Sequence, residues 1–312
     1  MYIERHGKEF TILDNNNPIS HGGIYGYYRK KGREVKQNTL EAILLSVVNG
    51  IPVEFDIRKT KDDIAIISHD DEILLSNGLK IKISKTSYTD ILRIAQNEAP
   101  ATLEEVLRVV DGRVPVLVDA KEVNFFLYSK YRKNLTLLLN QYAQKGEIAL
   151  QSFNPAFMLV MRKHLKGVLT LQLICRAQTV LSVFKAPKRA AAIYEKLVSF
   201  ICFIARTDAI NMENHSDKKW KRVTRAFHSD EFSVKVEELL DSLNKKSDKI
   251  QYFLVKMVHN LTKKPVLAFT VTEEEEFWAI KGNIISNFIV DFSHLGVEEY
   301  IRKMKEIKKR KE

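Results

Sequence analysis

The sequence predicts an α/β fold closed into a (β/α)8 barrel, and three observations point there. Short β-branched runs alternate with helix-forming stretches from end to end, the pattern of strands joined by helical crossovers. The runs suited to parallel strands number eight. A length of 312 residues, 45% of them apolar, gives enough chain for one elaborated domain, since a barrel of this kind needs about 250 residues.

In order, the predicted strands are Pro18–Gly22, Pro52–Ile57, Pro115–Asp119, Ile148–Ser152, Val168–Ile174, Ala209–Met212, Val266–Val271 and Phe288–Asp291. A ninth run, Ile64–Ser68, begins too soon after Ile57 for a parallel crossover, which takes roughly a dozen residues. It must therefore return antiparallel through the turn Lys59-Thr60-Lys61-Asp62-Asp63, and this hairpin after the second strand delivers His69 to the barrel mouth. Asn38 or Thr39 is expected to cap a helix over Leu40–Val48 that stops at Gly50. Thr102 and Glu105 have capping-box spacing for a helix through Val110, and Asn154-Pro155 opens another that ends near Gly167. The stretch Lys185–Lys264 is too long for two ordinary strand–helix units, so about residues 185–264 are expected to include inserted helices, such as Phe232–Leu243. Residues 1–312 read as one domain.

The formal charge of +11 is regional. Arg176–Lys235 holds 12 Lys and Arg against 6 Asp and Glu, and Arg302–Glu312 holds 7 against 2, which accounts for the whole excess. Such basicity suits an anionic partner, whether lipid, polymer or phosphorylated substrate; no nucleic-acid module accompanies it. Two cysteines, Cys175 and Cys202, make no disulfide framework. Residues 1–10 carry Glu4, Arg5, Lys8 and Glu9 without the apolar stretch of a secretory signal. The longest apolar run, Leu197–Ala205, is about half of the ~18 residues that span a bilayer. A cytoplasmic enzyme is expected, with the basic, aromatic-rich segment docking on an anionic membrane face or polymer; the competing expectation puts Leu197–Ala205 in the barrel wall.

Polar residues gather at the predicted C-terminal strand ends, where barrel enzymes keep their sites. Strand one ends in Ser20-His21-Gly22-Gly23, and strand two carries Glu54 and Asp56 on one face because side chains alternate with period two. The hairpin ends in Ser68-His69-Asp70, and strand three ends in Asp119-Ala120-Lys121. Same-face carboxylates repel and desolvate each other, so they call for a cation; hard oxygen ligands favour Mg²⁺ or Ca²⁺ over zinc. His21 and His69 are acid and base candidates near neutral pH, and Lys121 can neutralise a phosphoryl oxygen. Together these groups suit cleavage of a phosphodiester.

The order of these motifs resembles the glycerophosphodiester phosphodiesterases, a family of TIM barrels. The resemblance runs through His21-Gly22-Gly23, Gln37-Asn38-Thr39-Leu40-Glu41-Ala42, Gly50 to Ile57, Thr60-Lys61-Asp62-Asp63 and Ile66-Ile67-Ser68-His69-Asp70. It continues in Val118-Asp119-Ala120-Lys121, Gln151-Ser152-Phe153-Asn154-Pro155, Leu267-Ala268-Phe269-Thr270-Val271 and Ile289-Val290-Asp291. It implies a divalent cation on Glu54, Asp56 and Asp119, acid–base roles for His21 and His69, a phosphate contact from Lys121, and Asn38 ordering the loop around His21. Four departures stand out. Gly22 replaces an arginine, Gln37 a glutamate, Asp119 a glutamate ligand, and Ser76-Asn77-Gly78 lies where an arginine is common. Arg29, Lys30 or Arg33, in the long loop Ile24–Lys36, is expected to replace the first lost cation. The aspartate ligand is similar to that of the related sphingomyelinase D enzymes.

These readings favour hydrolysis of a small or lipid-derived glycerophosphodiester to glycerol phosphate and an alcohol. The alternatives are a lysophospholipid or surface-glycan phosphodiesterase, and a non-catalytic barrel that binds anionic lipid or polymer.

Overall fold

The computed structural model describes residues 4–5, 8–13, 17–121, 130–174, 209–213, 266–271 and 285–309. Its centre is a ring of eight parallel strands: β1 (Ile19–Ser20), β2 (Val53–Lys59), β3 (Val116–Ala120), β4 (Ile148–Ser152), β5 (Val168–Ile174), β6 (Ala209–Glu213), β7 (Val266–Val271) and β8 (Ile285–Val290). Each strand pairs with the next in chain order, and β8 pairs with β1 to close the ring. The expected antiparallel return is present as Ala65–Ile67, with Ile57 opposite Ile67. The last strand begins at Ile285, three residues before the expected Phe288, because the polar pair Ser286-Asn287 hides its start from an apolar-run criterion. The expected inserted helices and the run Leu197–Ala205 lie outside the described residues. No helix among the described residues is long and apolar enough to cross a membrane.

Strict alternation sorts each strand's side chains into two layers. Val53, Phe55, Ile57, Val116, Val118, Ile148, Leu150 and Val168 face outward and pack with the helical layer. Ile19, Leu117, Ala149, Leu169, Leu171 and Ile289 face inward, joined by Phe10 and Ile12 from the N-terminal segment. That segment is pinned by Glu147, just before β4, whose carboxylate accepts from Thr11 N at 2.8 Å, Thr11 Oγ1 at 2.7 Å and Ile12 N at 3.0 Å. Phe10 and Ile12 thus fill the ring at the end where the strands begin, leaving the C-terminal end for polar groups.

The helices follow their sequence signals. Thr39, not Asn38, caps α1 (Leu40–Val48), by accepting from Ala42 N. α2 (Tyr88–Ala95) was not expected from the sequence; Ser87 caps it. α3 (Leu103–Val110) opens with the full Thr102–Glu105 capping box. α4 (Lys130–Tyr142) was likewise unforeseen, and α5 (Pro155–His164) starts at Asn154-Pro155 and stops three residues short of Gly167. Between β2 and α3, Ile66, Leu75, Ile81, Ile83, Ile91 and Ala95 form a small core of their own. The basic C-terminal helix α6 (Val297–Lys309) does more than face solvent. Lys305 Nζ donates to Asn49 Oδ1 and Lys308 Nζ to the Gly50 carbonyl at 2.6 Å, placing cations at the negative end of the α1 dipole.

The turn after β1 is held tightly against α1. Gly23 has φ +84°, and a Cβ there would lie 2.6 Å from the carbonyl carbon of Ala42. Gly23→Ala is therefore expected to destabilise the protein by about 2 kcal/mol or more, combining left-handed strain with overpacking. Urea unfolding measures it; an unchanged midpoint would contradict this packing.

Candidate active site

At the C-terminal end of the ring, Glu54, Asp56 and Asp119 each offer one oxygen, and these oxygens lie within 4.8 Å of one another. All three residues are buried. Their convergence follows from register: Asp119 on β3 sits opposite Asp56 on β2, and Glu54 lies two residues earlier on the same face. Asp56 is the best supported. Asn38 grips it twice, through Nδ2 to Oδ2 at 2.8 Å and by accepting Asp56 N at 2.9 Å. Lys121 Nζ bridges Asp56 Oδ1 at 2.8 Å and Asp119 Oδ2 at 2.7 Å. Glu54 Oε2 accepts from Gly22 N at 3.0 Å. Asp119 Oδ1 is buried with no hydrogen-bond partner.

Burial pushes the Glu54 and Asp119 carboxyls up; the Asp56 charge adds to the rise of both, and Lys121 opposes it most at Asp119. Burial also works against the charged forms of Asp56 and Lys121, but their attraction wins, lowering the carboxyl and raising the ammonium. Ionised together, three carboxylates against one ammonium would carry excess negative charge, and the buried Asp119 Oδ1 has a lone pair to offer a cation. The donor set fits a hard divalent cation.

His21 and His69 both lie near enough to Asp56 for their charges to lower its carboxyl. His69 is half exposed at the rim, its Nδ1 2.9 Å from Asp70 Oδ1, and Arg58 Nε donates to its carbonyl. His21 is more enclosed, and its Nδ1 sits 3.5 Å from Asp291 Oδ2. Burial disfavours the charged ring, but Asp291, Glu54 and Asp56 outweigh it and raise His21 to about 9. Asp291 and its partner Tyr25, whose hydroxyl donates to Oδ2, were not assigned from the sequence. The signal was available: Asp291 is the residue at the C-terminal end of β8, the position rule that found the other site groups.

The first loop folds as an antiparallel hairpin, Gly26–Tyr28 with Arg33–Val35, turned by Gly32 at φ +62°. Arg33 and Lys31 pair with Glu41 at the start of α1, while Arg29 N and Lys30 N donate to Glu298. Among the described residues, no hydrogen bond or ion pair joins Arg29, Lys30 or Arg33 to the carboxylate cluster.

The glycerophosphoryl diester phosphodiesterase family model matches residues 21–295, from His21 past the end of the last strand. The chain belongs to this family. It is thereby a phosphoric diester hydrolase of the glycerophosphodiester phosphodiesterase type. Solved structures with similar folds span nearly the whole chain. A phosphodiesterase from Oleispira antarctica, in complex with the product sn-glycerol-3-phosphate, is 15% identical with a TM-score of 0.57, covering 92% of this chain and 96% of its own. A glycerophosphoryl diester phosphodiesterase from Silicibacter pomeroyi is 14% identical with a TM-score of 0.58, covering 94% and 96%. One from Thermotoga maritima is 19% identical with a TM-score of 0.52, covering 90% and 96%. No curated protein sequence matches the chain.

The site electrostatics set an expectation for stability in chelator. Raised carboxyls in the folded state bind protons more tightly than in the unfolded chain, so stability falls as pH climbs through and beyond the ordinary carboxylate range. His21, raised to about 9, acts in the same direction: its contribution is full below 6.5 and lost as pH rises through 9. Melting temperature in EDTA should therefore drop between about pH 5 and about pH 9, and saturating Mg²⁺ or Ca²⁺ should raise it and flatten the slope. Asp119→Asn should weaken the response to metal; an identical response in that variant would rule out the cluster as the cation site.

Proposed function

We propose that this phosphodiesterase hydrolyses a glycerophosphodiester to glycerol phosphate and an alcohol, using His21 and His69 as its proton-transfer pair. The observation that carries the reading is the group of three carboxylates and Lys121 at the barrel mouth, with both histidines near enough for their charges to act on Asp56. Glu54, Asp56 and Asp119 would hold Mg²⁺ or Ca²⁺, and the ion would polarise a phosphoryl oxygen. Asn38 keeps the Asp56 carboxylate turned inward, and Gly22 N does the same for Glu54. Lys121 holds positive charge against two of the carboxylates and, with these partners engaged, is positioned to meet a phosphoryl oxygen. One histidine takes a proton from the attacking water while the other gives a proton to the departing alkoxide, so that diester and water become glycerol phosphate and alcohol. Arg29 and Lys30 remain the candidates for the cation lost at Gly22, since the Arg33 side chain is paired with Glu41. The bound glycerol phosphate of the Oleispira antarctica enzyme supports the choice of product.

Product analysis by phosphorus NMR across a panel of diesters should show glycerol phosphate formed, and formation should stop in chelator. His21→Ala and His69→Ala should each lower kcat by at least ~10²-fold without loss of folding. Retention of full activity in either variant would remove that histidine from the mechanism.

Docking on an anionic surface rests on the +6 charge of Arg176–Lys235, which includes Lys218, Lys219, Lys221 and Arg222. Co-sedimentation with anionic liposomes should fall with salt and with neutralisation of these four residues, each cation near the surface being worth ~1 kcal/mol. No sedimentation with anionic liposomes, or equal sedimentation with neutral ones, argues against it.

A further inference from the structure

We propose that Asp291 is the positioning residue for His21, and that Tyr25 holds Asp291 to that task. The geometry joins three parts of the chain that are far apart in sequence. His21 N donates to the Val290 carbonyl at 3.0 Å, so the first strand's end is fastened to the residue beside Asp291. Asp291 has little freedom: Oδ1 accepts from Ser293 N at 3.0 Å, and Oδ2 accepts the Tyr25 hydroxyl. The same Oδ2 faces His21 Nδ1 at 3.5 Å. Nδ1 is buried and has no hydrogen-bond partner, which is costly unless an acceptor completes it. Closure by roughly half an ångström would bring the pair to hydrogen-bond length.

This arrangement decides which nitrogen works. With Nδ1–H directed at Asp291, the ring proton is fixed on that side and Nε2 is turned away from the carboxylate, free for proton transfer. Tyr25 matters because a carboxylate on the end of a strand can rotate away from its partner. Its hydroxyl occupies the shared oxygen, and the loop bearing it cannot drift: a Cβ at the next residue, Gly26, would lie 2.4 Å from the Ser293 carbonyl oxygen. Neither Asp291 nor Tyr25 needs to touch the substrate. Both act through His21.

The inference rests on the reading of His21 as a proton-transfer group, and the test separates the two. In the full chain, on the diester turned over fastest in the panel, Asp291→Asn should lower kcat about 10²-fold while KM changes less than ~3-fold. Tyr25→Phe should lower kcat by a smaller factor, roughly 3–10-fold. In a His21→Ala background neither change should cost more than ~2-fold further, because their effect passes through the missing ring. Equal losses in both backgrounds would mean that Asp291 and Tyr25 merely brace the loop, and would overturn the proposal. A deficient His21→Ala beside a fully active Asp291→Asn overturns the pairing alone; a fully active His21→Ala sinks the proton-transfer reading and the pairing with it. If Asp291→Asn fails to fold, Tyr25→Phe carries the same comparison. If His21→Ala activity falls below detection, histidine ring-nitrogen NMR decides, with the His21 signal identified by its loss in that variant. Asp291→Asn, or Tyr25→Phe, should shift the Nδ1 resonance, and an unmoved resonance overturns the proposal.

Discussion

Three buried carboxyl groups that share one ammonium at the barrel mouth are the constraint around which the rest of this protein is arranged. Glu54, Asp56 and Asp119 converge because β-strand alternation and register leave them no other direction to point. Burying such a group costs several kcal/mol per ion unless partners compensate. Lys121 compensates two of the three, and the Asn38 amide and the Gly22 amide support Asp56 and Glu54. What remains unpaired is what a divalent cation would complete.

The surrounding backbone serves the same constraint. Asn38 adopts φ +54°, a conformation asparagine tolerates better than most residues, and in doing so presents both ends of its side-chain amide to Asp56. Gly22 sits at φ +61°, and a Cβ there would come within 3.1 Å of Gln37 Cβ. Glycine at this position thus permits a tight turn that brings a backbone donor onto Glu54. The cationic hairpin is fastened elsewhere, to Glu41 and Glu298, and forms part of the wall between α1 and α6.

Most of the framework was legible in the sequence because the strands announce themselves twice, by apolar runs and by polar groups at one end. The hairpin after β2 was forced by a spacing too short for a crossover, and Ala65–Ile67 returns as required. The capping box at Thr102 and the Asn154-Pro155 start were equally readable, since both are local hydrogen-bond chemistry. The helix Tyr88–Ala95 was less so: its polar residues outnumber the few that reach the small core, which forms from side chains as distant as Ile66. In the site, Glu54, Asp56, Asp119, Lys121 and His21 were found by position, and the structure brings them together. Asp291 was readable by its place at the end of β8, whereas the role of Tyr25 was not, because it depends on a contact that only ring closure creates.

That closure has a consequence for how the enzyme comes into being. The contact between His21 and Asp291 links residues separated by nearly the whole chain, and Lys305 and Lys308 then fasten the last helix onto the end of the first. Contacts of such long sequence separation form late and slowly. The carboxylates of β2 and β3 are brought together by pairing between neighbouring strands, whereas His21 meets Asp291 only through the pairing of β8 with β1. The site therefore draws on the first and last strands of the barrel, and it is complete only once β8 has paired with β1.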